Sequence, residues 1–165
     1  PVREAFQILS RDGLIKLRPN KGAIVLGITE TYIREHYQLR GILESACAGI
    51  AASPDTDIHK IEQSYLGAKK MIESGDYSQY ANCNREFHSE IWATSGNKKM
   101  ENMIAELWNG LSMGSMVTEE EYANISIKEH KAIYEAIKAH DVQLAQQKMY
   151  EHIMRSCDDM LTYYV

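Results

Sequence analysis

Four side chains in the second half of the chain, Asn84, His88, His130 and His152, set three imidazoles beside one amide oxygen. Asn84 and His88 are four residues apart, a spacing that stacks them on one face of a helix. His130 and His152 flank a turn signal at His140-Asp141. If two antiparallel helices fold about that turn, both imidazoles sit about 15 Å from it, at matching heights. Three imidazoles and an oxygen suit Zn, Ni or another late divalent ion, with positions left open for water or an anion. An amide in place of a carboxylate keeps an oxygen donor but removes its charge. Such a site is more positive, weaker for metal and more receptive to an anionic ligand. The competing reading is a metal-free polar pocket, because a single buried histidine is commonly a hydrogen-bonded core residue.

The elements that must position these groups are helices. Thr29 reads as an N-cap for a helix to about Ala52, with Tyr32, Ile33, Leu39, Ile42, Leu43, Ala46 and Ile50 as its apolar positions. Its second half is rich in Gly and Ala, which permits close helix packing. Ser53-Pro54-Asp55 breaks the chain, and Ile58, Ile61, Tyr65, Ala68, Met71 and Ile72 mark a second amphipathic helix. A third is expected from about Tyr77 to Thr94, its stripe of Tyr77, Tyr80, Ala81, Phe87, Ile91 and Trp92 containing Asn84 and His88. A fourth follows Ser95-Gly96-Asn97, with Met100, Ile104, Leu107, Trp108 and Leu111 inward and an end weakened by Gly110, Gly114 and Thr118. Ser126-Ile127-Lys128-Glu129 fits a capping box and predicts a fifth helix from Ser126 to about Ala139. Its inward stripe is Ile127, His130, Ile133, Tyr134 and Ile137. Asp141 caps a sixth, with Leu144, Ala145, Met149, His152, Ile153, Ser156 and Met160 inward. His36, His59 and His140 lack such placement and read as surface or partly packed.

The opening segment differs. Residues 1–13 read as a helix already under way, with Pro1 suited to a first turn and Gly13 to a C-terminal cap. With no initiator Met, the expectation is a chain that starts inside something larger. Two short β-prone runs, Leu14–Leu17 and Ala23–Leu26, are joined by the basic turn Arg18-Pro19-Asn20-Lys21-Gly22. A helix followed by a hairpin with a basic tip is the second half of a winged helix-turn-helix, in which a helix enters the major groove and the wing grips adjacent backbone. Charge agrees in direction. Residues 1–22 carry five basic and two acidic side chains, whereas the rest carries 13 basic and 21 acidic within an overall −5. A basic tip on an acidic body suggests that only the tip meets a polyanion.

Composition limits the other classes. The 165 residues suffice for a sizeable core, the apolar runs are too short for a membrane span, and no signal-peptide pattern opens the chain. Cys47, Cys83 and Cys157 are odd in number and lack CxxC spacing, which fits a reducing, cytoplasmic compartment. HExxH, P-loop, GxGxxG and GxSxG patterns are absent, and no histidine follows a Glu by three residues as a di-iron bundle requires. A mononuclear three-histidine enzyme is the alternative function. It would need a general base beside the metal, but Glu129 and Glu151 point about 100° away from their histidine neighbours around the helix.

The string PVREAFQILSRDGLIKLRPNKGAIV resembles the recognition helix and wing of GntR-family bacterial transcription regulators, with PVREA, DGL and PNKGA at that family's spacing. It covers only the back part of that DNA-binding domain. Residues 29–165 are similar to the all-helical effector domain of the FadR subfamily, the FCD domain, through LRGILE, NREFH, SGNKKM, EHKAIYEAI, AHDVQLA and MYEHI. The resemblance implies a divalent metal, Zn or Ni, at an effector pocket. Asn84, His88, His130 and His152 stand at the ligand positions, with Asn84 where the family pattern has Asp. It also implies that Arg40 holds a ligand carboxylate, for which a planar guanidinium is suited; a pair between Arg40 and Glu44 is the alternative. Tyr134, one turn beyond His130, is expected to line the cavity. Arg3 is expected to contact a base or phosphate, and Lys21 and Gly22 the sugar-phosphate backbone.

The expected molecule is thus all-α: an antiparallel bundle of about six helices over residues 28–165, preceded over residues 1–27 by part of a winged helix-turn-helix with a β-hairpin wing. The expected function is a metabolite-responsive repressor. It would be a homodimer that binds operator DNA and a small organic acid, and does not act at a membrane.

Overall fold

The computed structural model describes residues 1–108 and 118–164. Helix α1 (Val2–Arg11) leads into a two-stranded antiparallel hairpin, β1 (Ile15–Arg18) and β2 (Gly22–Val25), paired from Ile15↔Val25 to Arg18↔Gly22. Asn20 and Gly22 at the tip adopt φ of 58° and 83°, the left-handed turn geometry that Asn and Gly tolerate best. Helix α1 buries no residue, and Val2, Phe6, Ile8 and Leu9 stay exposed.

Six helices follow among the described residues: α2 (Glu30–Ala51), α3 (His59–Glu73), α4 (Tyr80–Thr94), α5 (Lys98–Trp108), α6 (Glu119–Lys138) and α7 (Val142–Tyr164). Side chains seat three of these starts as expected. Thr29 Oγ1 accepts from the Tyr32 amide, Asn97 from Met100, and Asp141 from Leu144. The α6–α7 turn closes with His140 at φ 58°. The core spans all six helices, from Ile33 and Tyr37 on α2 to Met149, Ile153 and Met160 on α7, with Phe87, Ile91, Ile104, Ile133 and Ile137 between them. No described helix is long and apolar enough to cross a membrane.

Three expectations need correction. Helix α6 starts not at Ser126 but seven residues earlier, at Glu119. Thr118 and Glu121 form the reciprocal capping box, and Ser126 is fully buried in mid-helix. Thr-x-x-Glu and Ser-x-x-Glu both satisfy the motif, and the earlier one wins because the helix between them finds packing. Thr118 therefore opens α6; Gly110, Leu111 and Gly114 lie outside the described residues. Helix α4 starts at Tyr80 rather than Tyr77, because Asp76 caps a preceding turn through the Ser78 amide.

The third correction concerns α2. Its buried face is Ile33, His36, Tyr37, Arg40, Gly41, Glu44, Cys47, Ala48 and Ala51, while Leu39, Ile42 and Ile50 are exposed. The face with the smallest side chains turns inward because α7 packs very close to it. A Cβ on Gly41 would stand 3.0 Å from the Tyr150 ring, and one on Gly49 2.6 Å from the Gln146 side chain. His36 is accordingly a buried residue, not a surface one.

Candidate functional site

Helices α4, α6 and α7 each deliver one imidazole to a common point. His88 and His130 are fully buried and His152 is 4% exposed. The ring centroids form a near-equilateral triangle: His88–His130 5.1 Å, His88–His152 5.0 Å and His130–His152 5.0 Å. One potential ligand atom from each lies within 4.8 Å of the others.

Hydrogen bonds orient two of the three rings. His88 Nδ1 lies 2.6 Å from Glu44 Oε2, and His152 Nδ1 lies 2.6 Å from Glu129 Oε2. Both acids are held ionised. Burial opposes ionisation of Glu44, but Arg40 and His88 outweigh it and bring the carboxyl down to about 2. Glu129 is likewise lowered, with His152 and Arg155 overcoming its desolvation. Burial, with the neighbouring imidazoles, pushes His130 well below its ordinary value. Burial first, opposed by Glu129, brings His152 down to about 4. His152 is therefore neutral near pH 7 with its proton on Nδ1, facing the carboxylate.

The consequence is chemical. His88 Nε2 and His152 Nε2 stand 3.1 Å apart, both turned toward the centre of the triangle's shared edge, and His152 Nε2 carries a lone pair. Two imidazole nitrogens that share one divalent ion, at bonds of roughly 2.0–2.1 Å, sit about 3 Å apart. His130 adds a third nitrogen: its Nδ1 is buried with no hydrogen-bond partner among the described residues. The donor set therefore fits a late divalent ion.

Asn84 is buried beside this triangle and reaches it through Ser126. Its Nδ2 donates to Tyr122 Oη at 3.1 Å, and its Oδ1 accepts from Ser126 Oγ at 3.4 Å, an atom also 3.4 Å from His130 Nε2. Arg40 turns inward and pairs with Glu44, Nε at 2.9 Å and Nη2 at 2.8 Å, while its guanidinium lies 4.5 Å from the centroid of Trp108. The alternative partner of Arg40 is thus the observed one, in the interior rather than at the surface.

Tyr134 points elsewhere. Its ring stacks on Tyr65 at 4.9 Å, and its hydroxyl is held by Glu62 and Lys138 on the α3–α6 seam. At four residues past His130 it has turned about 40° further around the helix, far enough to face α3. Arg3, Lys21 and Gly22 are exposed on α1 and the hairpin, away from the bundle core.

Two residues outside the expected site set, Glu44 and Glu129, carry the contacts that orient its histidines. Glu44 is fully buried, takes Arg40, His88 and the Trp92 indole N–H at 2.9 Å, and lies on the stripe Ile33, Tyr37, Arg40, Glu44, Cys47, Ala51. An acid on a buried stripe was the available signal. Glu129 does point away from its neighbour His130, as helical geometry requires. It crosses instead to α7, where it takes His152 and a bidentate contact from Arg155.

Residues 35–155 match the model of the FCD domain. The HTH-type transcriptional regulator YdhC of Bacillus subtilis is 22% identical over 165 residues, covering 97% of this chain and 74% of that protein. A probable D-xylose utilization operon transcriptional repressor of Paenarthrobacter nicotinovorans is 26% identical, covering 93% of this chain and 69% of its own length. A GntR-type regulator from a Rhodococcus species has the same fold: TM-score 0.70 at 24% identity, over 99% of this chain and 80% of that one.

Proposed function

Because this chain belongs to the FCD-domain family of GntR-type transcription regulators, we propose that its helical bundle is a metabolite sensor that sets the DNA affinity of a winged helix-turn-helix head. The family and the relatives are transcription regulators, not enzymes. His88, His130 and His152 hold a divalent ion, Zn or Ni, and a small organic acid takes an open position beside it. A bound ion there supplies positive charge and an exchangeable coordination position. Asn84 contributes no charge, so the centre attracts an anion more strongly than a carboxylate-containing site would. The observation that carries this reading is the pair of Nε2 atoms 3.1 Å apart, each ring backed by a carboxylate on Nδ1.

Arg3 on α1 and Lys21 and Gly22 at the wing tip contact operator DNA. The protein acts as a homodimer, since two heads read two half-sites, and as a repressor, in line with the Paenarthrobacter relative. Acid binding changes DNA affinity only to the extent that one arrangement of the heads binds the acid better.

The test is metal content followed by DNA retardation. Protein purified without added metal carries about one equivalent per chain by elemental analysis, and His130→Ala loses most of it. The intact regulator retards a duplex from its own promoter region with salt-dependent affinity. A His130→Ala variant with undiminished metal would remove the ligand assignment.

A further inference from the structure

The three cysteines differ in what they can reach. Cys47 and Cys157 are fully buried within the apolar core. Cys83, in the first turn of α4, is half-buried and opens onto a cavity of about 430 Å³ between α3 and α4. The cavity has room because α3 lines it with Gly67 and Ala68, and a Cβ on Gly67 would meet nothing within 4 Å. Met71 of α3 borders the same space, and its Sδ stands 3.9 Å from Cys83 Sγ. Helix α4 keeps this cavity and the histidine centre on different faces. Cys83, Glu86 and Glu90 recur every three or four residues and line the cavity, whereas Asn84 and His88 turn to the histidine triangle.

A thiol beside a thioether in an open cavity is a soft donor pair. A zinc site takes three or four thiolate, imidazole or carboxylate ligands. Outside the histidine centre no three His, Cys, Asp or Glu ligand atoms converge among the described residues, so Cys83 does not complete such a site. Its partner is instead a neutral thioether, a ligand that selects Cu(I). The spacing agrees. Two sulfur atoms bonded to one ion at about 2.3 Å each, in a trigonal arrangement, lie about 4.0 Å apart. The sulfurs here already stand at 3.9 Å, and the cavity beside them has room for a third ligand. Glu86 adds negative charge to the same cavity, which favours a cation over an anion.

We propose that Cys83 and Met71 form a second metal site, on the α3–α4 cavity, that binds Cu(I). Binding breaks the thiol S–H bond and forms a copper–thiolate bond. The proton leaves to solvent and no electron is transferred. The Met71 thioether completes the pair without losing a proton. The site is separate from the anion-sensing reading and does not depend on it.

The test titrates zinc-saturated protein with Cu(I) under anaerobic conditions, against a chromophoric Cu(I) chelator. The protein takes up about one further equivalent per chain and retains its zinc. X-ray absorption at the copper edge then shows sulfur neighbours at about 2.3 Å rather than nitrogen at about 2.0 Å. Cys83→Ser abolishes the uptake. Met71→Leu keeps an apolar side chain of similar volume, yet weakens binding about tenfold or more and removes one sulfur neighbour. His130→Ala, which disables the histidine centre, leaves the copper affinity and the sulfur signature unchanged. Copper held through nitrogen with loss of zinc would place the ion at the histidines and overturn the site. Sulfur-bound copper that survives Cys83→Ser, or that ignores Met71→Leu, would overturn it as well. So would zinc-saturated protein that takes up no Cu(I).

Discussion

The histidine centre has two arms built from the same chemistry at different depths. On one arm Arg40, Glu44 and His88 run in series; on the other Arg155, Glu129 and His152 do. In both, a carboxylate oxygen stands 2.6 Å from Nδ1. The Glu44 side chain is completely buried and additionally takes the Trp92 indole. Glu129 is 27% exposed, and its arginine continues outward to Asp159. Orientation of an imidazole depends on the length and direction of one hydrogen bond, so the arms should contribute equally to metal binding. Stability depends on what is stranded when the carboxylate goes, so there they should differ.

The largest expected effect is on the deep arm. Glu44→Ala strands a buried guanidinium, an imidazole and an indole N–H, and should lower unfolding free energy by about 3–5 kcal/mol, read by urea denaturation of metal-free protein. Glu129→Ala should cost about 1–2 kcal/mol, because water reaches its site and Arg155 retains Asp159. Equal losses from the two would break the comparison.

Next in size is the metal affinity. Glu44→Gln and Glu129→Gln should each weaken zinc binding roughly 10- to 100-fold in chelator competition, by releasing the Nδ1 proton preference. A loss on one arm alone would show that depth, not orientation, governs affinity.

Acid should reach the imidazoles before Glu44, with His130 and His36, both lowered by burial, sharing the decline that His152 begins. His152 lies at about 4 in the folded protein against 6.5 when exposed, so between those values the unfolded chain binds the extra proton. Stability of metal-free protein is therefore fully present above pH 6.5 and declines as pH falls toward 4. Glu44, lowered from 4.5 to about 2, adds its loss only below pH 4.5. Chemical denaturation at stepped pH should show the decline beginning near 6.5. The smallest expected effect is at the rim: Asp159→Asn should change stability by less than about 1 kcal/mol, because the Arg155–Asp159 pair is half exposed and screened by solvent.

The sequence by itself determined the helices and the inward direction of the imidazoles. Local capping chemistry at Thr29, Asn97 and Asp141, and the recurrence of His88, His130 and His152 among apolar positions every three or four residues, are properties of nearest neighbours along one helix. The antiparallel turn at His140-Asp141 was legible for the same reason, and with it the pairing of His130 and His152. Tertiary structure decided everything that depends on which helices face each other. It chose the glycine-rich face of α2 over the one bearing Leu39 and Ile42, because close approach to α7 needs small side chains. It placed Glu44 against His88, 44 residues away, and sent Glu129 across to His152 instead of to its neighbour His130. It also turned Tyr134 to Glu62 on another seam. A buried charge is tolerated only where partners from other elements meet it, and such partners leave no local period in a sequence.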